Sequence, residues 1–489
     1  MTDMLEPDLC VVGAGAAGLS VAAVAASLDA SVVLVEKGAE RDGTPGGGMG
    51  GECLLTGCVP SKSVIAAAAH AHAIRSGAPF GVSAAEPSVD YAALRAHVRA
   101  VIADIAPNDS VARYRAMGVT VLARHARFVD RATLDVEGTR VRARRFVLAT
   151  GSRPLVPDIP GLAETPYLTN ETVFDLDERP RRLLVIGAGP VGMELAQAHR
   201  RLGAEVVVVS NGPALAGQDR EVAAIAANAL RAEGVDLREG IAVLAAEAIA
   251  GGVRLRVRAG EGAPEEVLEG SHLLVAAGRR PTVGDLGLEA AGVAHDAAGI
   301  RVDARLRTTN RKIYAIGDCA SGGTGGLRFT HAASQHASLV VRDALFRLRA
   351  PLDPTAIPRV TYTDPEIASV GLSEEEAFRR DAKARILRWP VGELDRAKAE
   401  RRTHGLIKAF VARDGRVLGC AIAAPHAGEL IAPWTLALAK RLKARDLAGI
   451  VMPYPTYSEL TKRAAVEDLR PLATNPWVQR WRRLMRSFG

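Results

Sequence analysis

A chain of 489 residues is too long for one hydrophobic core, so several domains are expected. Its 48% hydrophobic and 24% charged residues give a globular composition and exclude a largely disordered chain. The net charge of +7 comes from scattered arginines rather than a basic block, which argues against a nucleic-acid partner, and five cysteines are too few and too isolated for a secreted disulfide scaffold.

In chain order, the opening MTDMLEPD is acidic where a signal peptide needs positive charge. The apolar run from Leu9 to Val35 is broken by glycines and Asp29, so it does not read as a membrane span, and the expected location is cytoplasmic. Within that run LCVV reads as a buried strand, followed by Gly13, Gly15 and Gly18 as G-x-G-x-x-G, an Ala-rich helix, and a second strand, SVVLVE, ending at Glu36. Glycines let backbone amides approach a pyrophosphate, the helix N-terminus attracts its charge, and the terminal acid suits a ribose hydroxyl. The unit predicts a bound dinucleotide.

GGECLLTGCVPSK, residues 50–62, comes next. Zinc is disfavoured, because Cys53 and Cys58 have no second pair downstream at ligand spacing. A helix is expected from about Pro60, which puts Cys58 by a helix N-terminus with Lys62 one turn on. Both features lower a thiol pKa, and a disulfide to Cys53 closes easily; two buried structural thiols are the alternative. His70 and His72 point to different faces of that helix and read as structural.

RLLVIGAGPVGMELAQAHRRLGAEVVVVSN repeats the first unit without a gap, with Gly187, Gly189 and Gly192 as the triplet and Ser210 where the first copy has Glu36. Two copies imply two dinucleotide sites. Serine permits the 2′-phosphate of NADPH, though no arginine at the strand end demands it, so NADPH is favoured and NADH stays open. Further on, APLDPTAIP reads as a linker, and DPEIASVGLSEEEA opens a strand-rich domain. Cys10, Cys319 and Cys420 read as small apolar fillers, and His331 and His336 as structural.

These motifs, with LATGSRP at 148–154 and IYAIGDCA at 313–320, carry a resemblance to the flavin-dependent pyridine nucleotide–disulfide oxidoreductases. That family includes dihydrolipoamide dehydrogenase, glutathione reductase and mercuric reductase. CVPSK and FTHAASQHASLVVRDALF look closest to the dihydrolipoamide dehydrogenase and mercuric reductase branches. The resemblance implies an α/β fold: an FAD domain over 1–160 and 283–352, an inserted NAD(P) domain over 161–282, an α+β interface domain over 353–473 and a tail over 474–489. It implies a homodimer, with FAD on Gly13, Gly15, Ala17, Gly18, Glu36, Thr150, Gly151, Gly317 and Asp318, and with Gly278 as a further cofactor-binding residue. Lys62 and Glu194 match a pair beside the flavin ring, and a helix from about Thr330 would point at the flavin. Cys58 would contact the flavin and Cys53 would exchange with the acceptor, in a Cys53–Cys58 redox disulfide fed by NAD(P)H through FAD. No resident metal is implied.

One segment departs from the family. Where it reads His-Pro-Thr-x-x-Glu, this chain has Tyr454 before Pro455, Thr456 and Glu459, and a tyrosine near pKa 10 hardly acts as a base at neutral pH. Dithiol exchange should suffer, which leaves lipoamide, a metal ion such as mercury, a quinone or an unusual disulfide as acceptors. The mercury reading lacks the usual cysteine pair near the C-terminus, since none follows Cys420, and also an MTCxxC module. An idle disulfide in a binding flavoprotein, or an oxidase, are the other classes.

The tail NPWVQRWRRLMRSFG spaces Trp477, Trp481, Leu484 and Phe488 on one helical face, against Arg480, Arg482, Arg483 and Arg486. It could lie on an anionic membrane or pack on protein.

Overall fold

The structure, a computed structural model, describes residues 4–38, 48–322, 327–349 and 353–488. The expected boundary at 352/353 falls at the edge of a stretch outside the described residues. The chain forms two compact units: Met1–Gly187 with Ala198–Val206 and Ala242–Pro354, and Ala188–Gln197 with Val207–Ile241 and Thr355–Gly489.

The first unit is built on a five-stranded parallel sheet in the order Ile313–Ala315, Arg145–Leu148, Leu9–Val12, Val32–Val35, Thr120–Leu122. Leu9–Val12 and Val32–Val35 are buried at every position, as continuous apolar runs in a covered parallel sheet must be. The helix Ala16–Ala26 follows the first strand through a turn that needs glycine. Gly13 has φ +104°, and a Cβ there would lie 2.4 Å from the Ala149 carbonyl oxygen. Gly187 repeats this in the second copy, with φ +109° and a Cβ 2.5 Å from the Ala276 oxygen. The equivalent clash in both turns gives the internal repeat a structural basis. Arg182–Ile186 also pairs in parallel with His272–Val275.

In the second unit, Val207 to Ser210 pair in parallel with Asp236 to Glu239. Its larger part is an antiparallel sheet in the order Arg359–Thr361, Glu366–Gly371, Val417–Ala424, Leu406–Val411, Arg385–Pro390. Ile407, Ile422, Trp434 and Leu460 are buried in its core, with Cys420 among them as a filler. The fold class is the expected α/β with a mixed α+β element. No helix among the described residues is long and apolar enough to cross a membrane.

Candidate active site

The cysteine segment starts against the first glycine loop. Gly50 N–H donates to the Ala14 carbonyl at 2.9 Å, and a Cβ on Gly51 would come within 2.7 Å of Gly15 Cα. The short helix Gly51–Leu55 carries Cys53. The next helix, Cys58–Arg75, begins at Cys58 itself, two residues earlier than the sequence suggests, with Gly57 as its N-cap and Pro60 in the first turn, where its missing N–H costs nothing.

A second helix, Thr330–Phe346, ends on the same two thiols. Its first residue, Thr330, places Oγ1 3.3 Å from Cys53 Sγ and 3.4 Å from Cys58 Sγ, and its N-cap Phe329 offers no capping side chain. Two helix N-termini, each the positive end of a dipole, thus converge on one cysteine pair and favour negative charge there. The hydrogen bond with Cys58, and then burial, push the Cys53 thiol well above its usual range. Cys53 therefore keeps its proton, and any ionisation of the pair belongs to Cys58.

Beside the pair runs a polar chain that the motifs do not announce. Glu52, the residue before Cys53, is gripped through both carboxylate oxygens by Arg279, with Nη1 2.5 Å from Oε1 and Nη2 on Oε2, and it accepts from Asn170 Nδ2 at 2.9 Å. Arg279 Nε donates to Ser152 Oγ at 2.8 Å, and Ser152 Oγ donates to Asp318 Oδ2 at 2.5 Å. Burial pushes the Glu52 carboxyl up to about 7, against the pull of Arg279. The two-pronged contact is that of an ion pair, and Glu52 is charged above neutrality.

Among the other expected FAD contacts, Glu36 stands at the strand end and accepts from Ala14 N–H at 2.8 Å and Gly38 N–H at 3.1 Å. Thr150 Oγ1 donates to the Thr282 carbonyl at 2.6 Å, the Gly151 carbonyl accepts from Thr282 N–H, and Gly317 N–H donates to the Nδ1 of buried His336. Burial lowers the pKa of His336 to about 4, so it is neutral, as a structural histidine should be. Ala17 and Gly18 lie in the first turn of Ala16–Ala26, a helix whose N-cap, Gly15, makes no side-chain cap and whose first turn holds no acid. Bare amides at a helix N-terminus beside glycines suit a pyrophosphate, and the buried His336 Nε2 has no partner among the described residues; the residues fit FAD. Gly278, with φ +130°, lies next to Arg279.

Lys62, one turn into Cys58–Arg75, directs Nζ to Ser61 Oγ at 3.3 Å. In the second unit Glu194 is buried and its Oε1 accepts from Tyr362 N–H at 2.9 Å. Gly189, Gly192 and Ser210 lie there too, Gly192 inside the helix Pro190–Arg201 and Ser210 at the end of Glu205–Ser210. Tyr454 is exposed and donates its hydroxyl to Asp395 Oδ2 at 2.9 Å, a bond that raises its pKa further. Glu459 is turned to Thr456 N–H and Arg463, each at 3.5 Å. Thr330, Glu52, Arg279, Ser152 and Asn170 are the site residues that sequence reasoning missed. Of these only Thr330 left a signal, as the first residue of a helix already expected to point at the flavin.

A family model described as pyridine nucleotide-disulphide oxidoreductase matches residues 7–337, and one described as its dimerisation domain matches 357–465. The chain is 34% identical over 469 residues to a mercuric reductase of Streptomyces lividans, covering 94% of this chain and 95% of that one. It is also 34% identical over 461 residues to a dihydrolipoyl dehydrogenase of Thermus scotoductus, covering 94% and 96%. Among solved structures, LpdA of Mycobacterium tuberculosis superimposes with a TM-score of 0.83 at 27% identity, covering 94% and 99% of the two chains. A Cu(II) complex of the HOCl-induced flavoprotein disulfide reductase RclA of Escherichia coli superimposes at 0.81 with 25% identity, covering 94% and 99%.

Proposed function

Because the chain belongs to the pyridine nucleotide-disulphide oxidoreductase family, we propose that Cys53 and Cys58 pass electrons from NAD(P)H to a metal-ion acceptor rather than to a substrate disulfide. It is an FAD-dependent oxidoreductase with a dimerisation domain, and FAD supplies the two-electron relay between nicotinamide and the cysteine pair. The observation that carries the choice of acceptor is Tyr454. Reducing a disulfide requires protons for the thiolates it releases, and the family places a histidine there to deliver them. Tyr454 has its hydroxyl committed to Asp395 and a pKa above its usual 10, so it trades protons poorly near neutrality. Reducing a metal ion takes no proton. One NAD(P)H reduces one Hg(II) to Hg(0), or two Cu(II) to two Cu(I), and releases one H⁺.

The mercuric reductase relatives and the Cu(II) complex of RclA favour this acceptor class. In this reading Cys58 lies nearest the flavin and Cys53 meets the acceptor, while Lys62 and Glu194 flank the flavin ring. Tyr454 and Glu459 belong to the site of the partner subunit in a homodimer, and Ser210 admits the 2′-phosphate of NADPH. The reducing chemistry of an unscaffolded thiol pair fits the cytoplasm.

The test is anaerobic. Protein reduced with NADPH is mixed with Hg(II), Cu(II), a quinone or lipoamide, and its absorbance is followed. Reoxidation by a metal ion about a hundredfold faster than by lipoamide is expected, on the scale of one lost acid–base group. Equal or faster reoxidation by lipoamide would overturn the reading.

A second reading concerns the tail, and the joint exposure of its aromatic and basic side chains favours it. Pro476–Met485 is helical, Trp477, Trp481 and Phe488 are 75%, 63% and 75% exposed, and the Arg480 guanidinium lies over the Trp477 ring. We infer a peripheral contact with anionic lipid. Four arginines at about 1 kcal/mol each give about a thousandfold in affinity. Full-length protein should sediment with phosphatidylserine vesicles in a salt-sensitive way, and a chain lacking 475–489 should not. Equal sedimentation of both would exclude the tail as the anchor.

A further inference from the structure

We propose that Glu52 is a positioning residue of the cysteine pair: its carboxylate, clasped by Arg279, ties the Cys53 helix to Asp318 and sets a negative charge against the Cys58 thiolate. The proposal rests on Cys53 and Cys58 being the redox pair, and the experiment below separates its failure from the failure of that reading.

Three observations carry it. The chain Asn170–Glu52–Arg279–Ser152–Asp318 joins five separate segments through contacts of 2.9 Å or less, and its Glu52 end is covalently next to Cys53. Its other end, Asp318, is the expected flavin contact, so the chain fixes the thiols relative to the group that reduces them. Finally, Glu52 and Cys58 repel each other when both are charged, whereas Arg279 attracts the carboxylate. Thr330, a hydroxyl, and Asp109, a second acid that acts on Cys53, also face the pair, and Lys62 lies one turn along the Cys58 helix. Glu52 and Arg279 thus form an opposed pair of charges against which the thiolate is made.

The step they bias is balanced as follows. Two electrons from NAD(P)H, relayed by FAD, break the Cys53–Cys58 S–S bond. One proton goes to Cys53 Sγ, and Cys58 is left as thiolate. Any negative charge nearby disfavours the product, and any positive charge favours it.

The experiment is a reductive titration of the FAD-loaded dimer at pH 8, where Glu52 is charged, reading the midpoint potential of the cysteine pair and the thiolate-to-flavin charge-transfer absorbance. In Glu52→Gln, which keeps the shape and the Asn170 contact, a roughly tenfold shift toward the reduced pair is expected, about 30 mV for a two-electron couple, with stronger charge-transfer absorbance. Glu52→Asp should restore most of the original value. Arg279→Gln should shift the potential the opposite way. A brace without electrostatic effect would loosen the site in both Gln variants and move them in the same direction. That outcome, or an unchanged potential in a folded, FAD-loaded Glu52→Gln, overturns the proposal. If Cys53→Ser still takes up the second pair of electrons, the redox-pair reading fails instead.

Discussion

Cys53→Ser is expected to abolish reduction of the acceptor, by at least about a thousandfold in kcat/KM, while the first reductive half-reaction with NAD(P)H proceeds at nearly its original rate. The thiol at 53 is the half-buried member of the pair, bonded to Cys58 and to the Thr330 hydroxyl. Serine keeps the volume and the hydrogen bonds but cannot form an S–S bond, so electrons stop at the flavin. Cys58 then faces a hydroxyl that still donates to it, and it still lies at the first position of its helix and next to Thr330. Its thiolate should therefore persist, and a charge-transfer absorbance should appear in the variant without any reductant. The measurement is paired: stopped-flow reduction by NADPH, then turnover with Hg(II) or Cu(II). Retained metal turnover would mean that the metal takes electrons directly from flavin and that the pair is a bystander. Oxygen consumption unchanged by the substitution would point to an oxidase.

The parts of this molecule that the sequence makes legible are those governed by local rules. The glycine turns at Gly13 and Gly187 could be read because the G-x-G-x-x-G spacing between a strand and a helix marks a turn with positive φ, although the carbonyls a side chain would strike there, of Ala149 and Ala276, lie far along the chain. Leu9–Val12, Ala16–Ala26 and Thr330–Phe346 follow from apolar runs and helical spacing, and the tail helix from its arginine and tryptophan faces. What stayed hidden was long-range. Glu52 and Arg279 are 227 residues apart, and Thr330 is 277 from Cys53. No periodicity links such positions; the parallel sheet and its crossovers bring them together. Pro60 marks the first turn of the cysteine helix but not its first residue: Gly57 ends the preceding loop and lets Cys58 begin the helix two residues earlier than proline alone suggests. The difference matters, since it moves Cys58 from beside a helix terminus to its first turn.

Tyr454→His is expected to raise kcat/KM for lipoamide by about a hundredfold or more, the usual range for a positioned acid–base group. At pH 7 a tyrosine of ordinary pKa is about 0.1% ionised, and the bond to Asp395 holds this one lower still. A histidine near 6.5 is divided between its two forms at the same pH, so it can both accept the proton of an attacking thiol and return it to a leaving one. The scaffold around the position is already suited to it: Pro455 and Thr456 follow, and Glu459 holds a carboxylate a turn away, engaged only at 3.5 Å with Thr456 and Arg463. That carboxylate can turn to orient an imidazole. Metal reduction, which moves no proton at this position, should change little in the same variant, so the ratio of the two activities is the informative quantity. A rise in both would mean that Tyr454 blocks the entrance and acts by bulk, and Tyr454→Ala would then reproduce it. No rise in lipoamide activity, with FAD bound and the dimer intact, would show that the loss of dithiol chemistry lies elsewhere than in the proton, and the argument from Tyr454 to a metal-ion acceptor would fall with it.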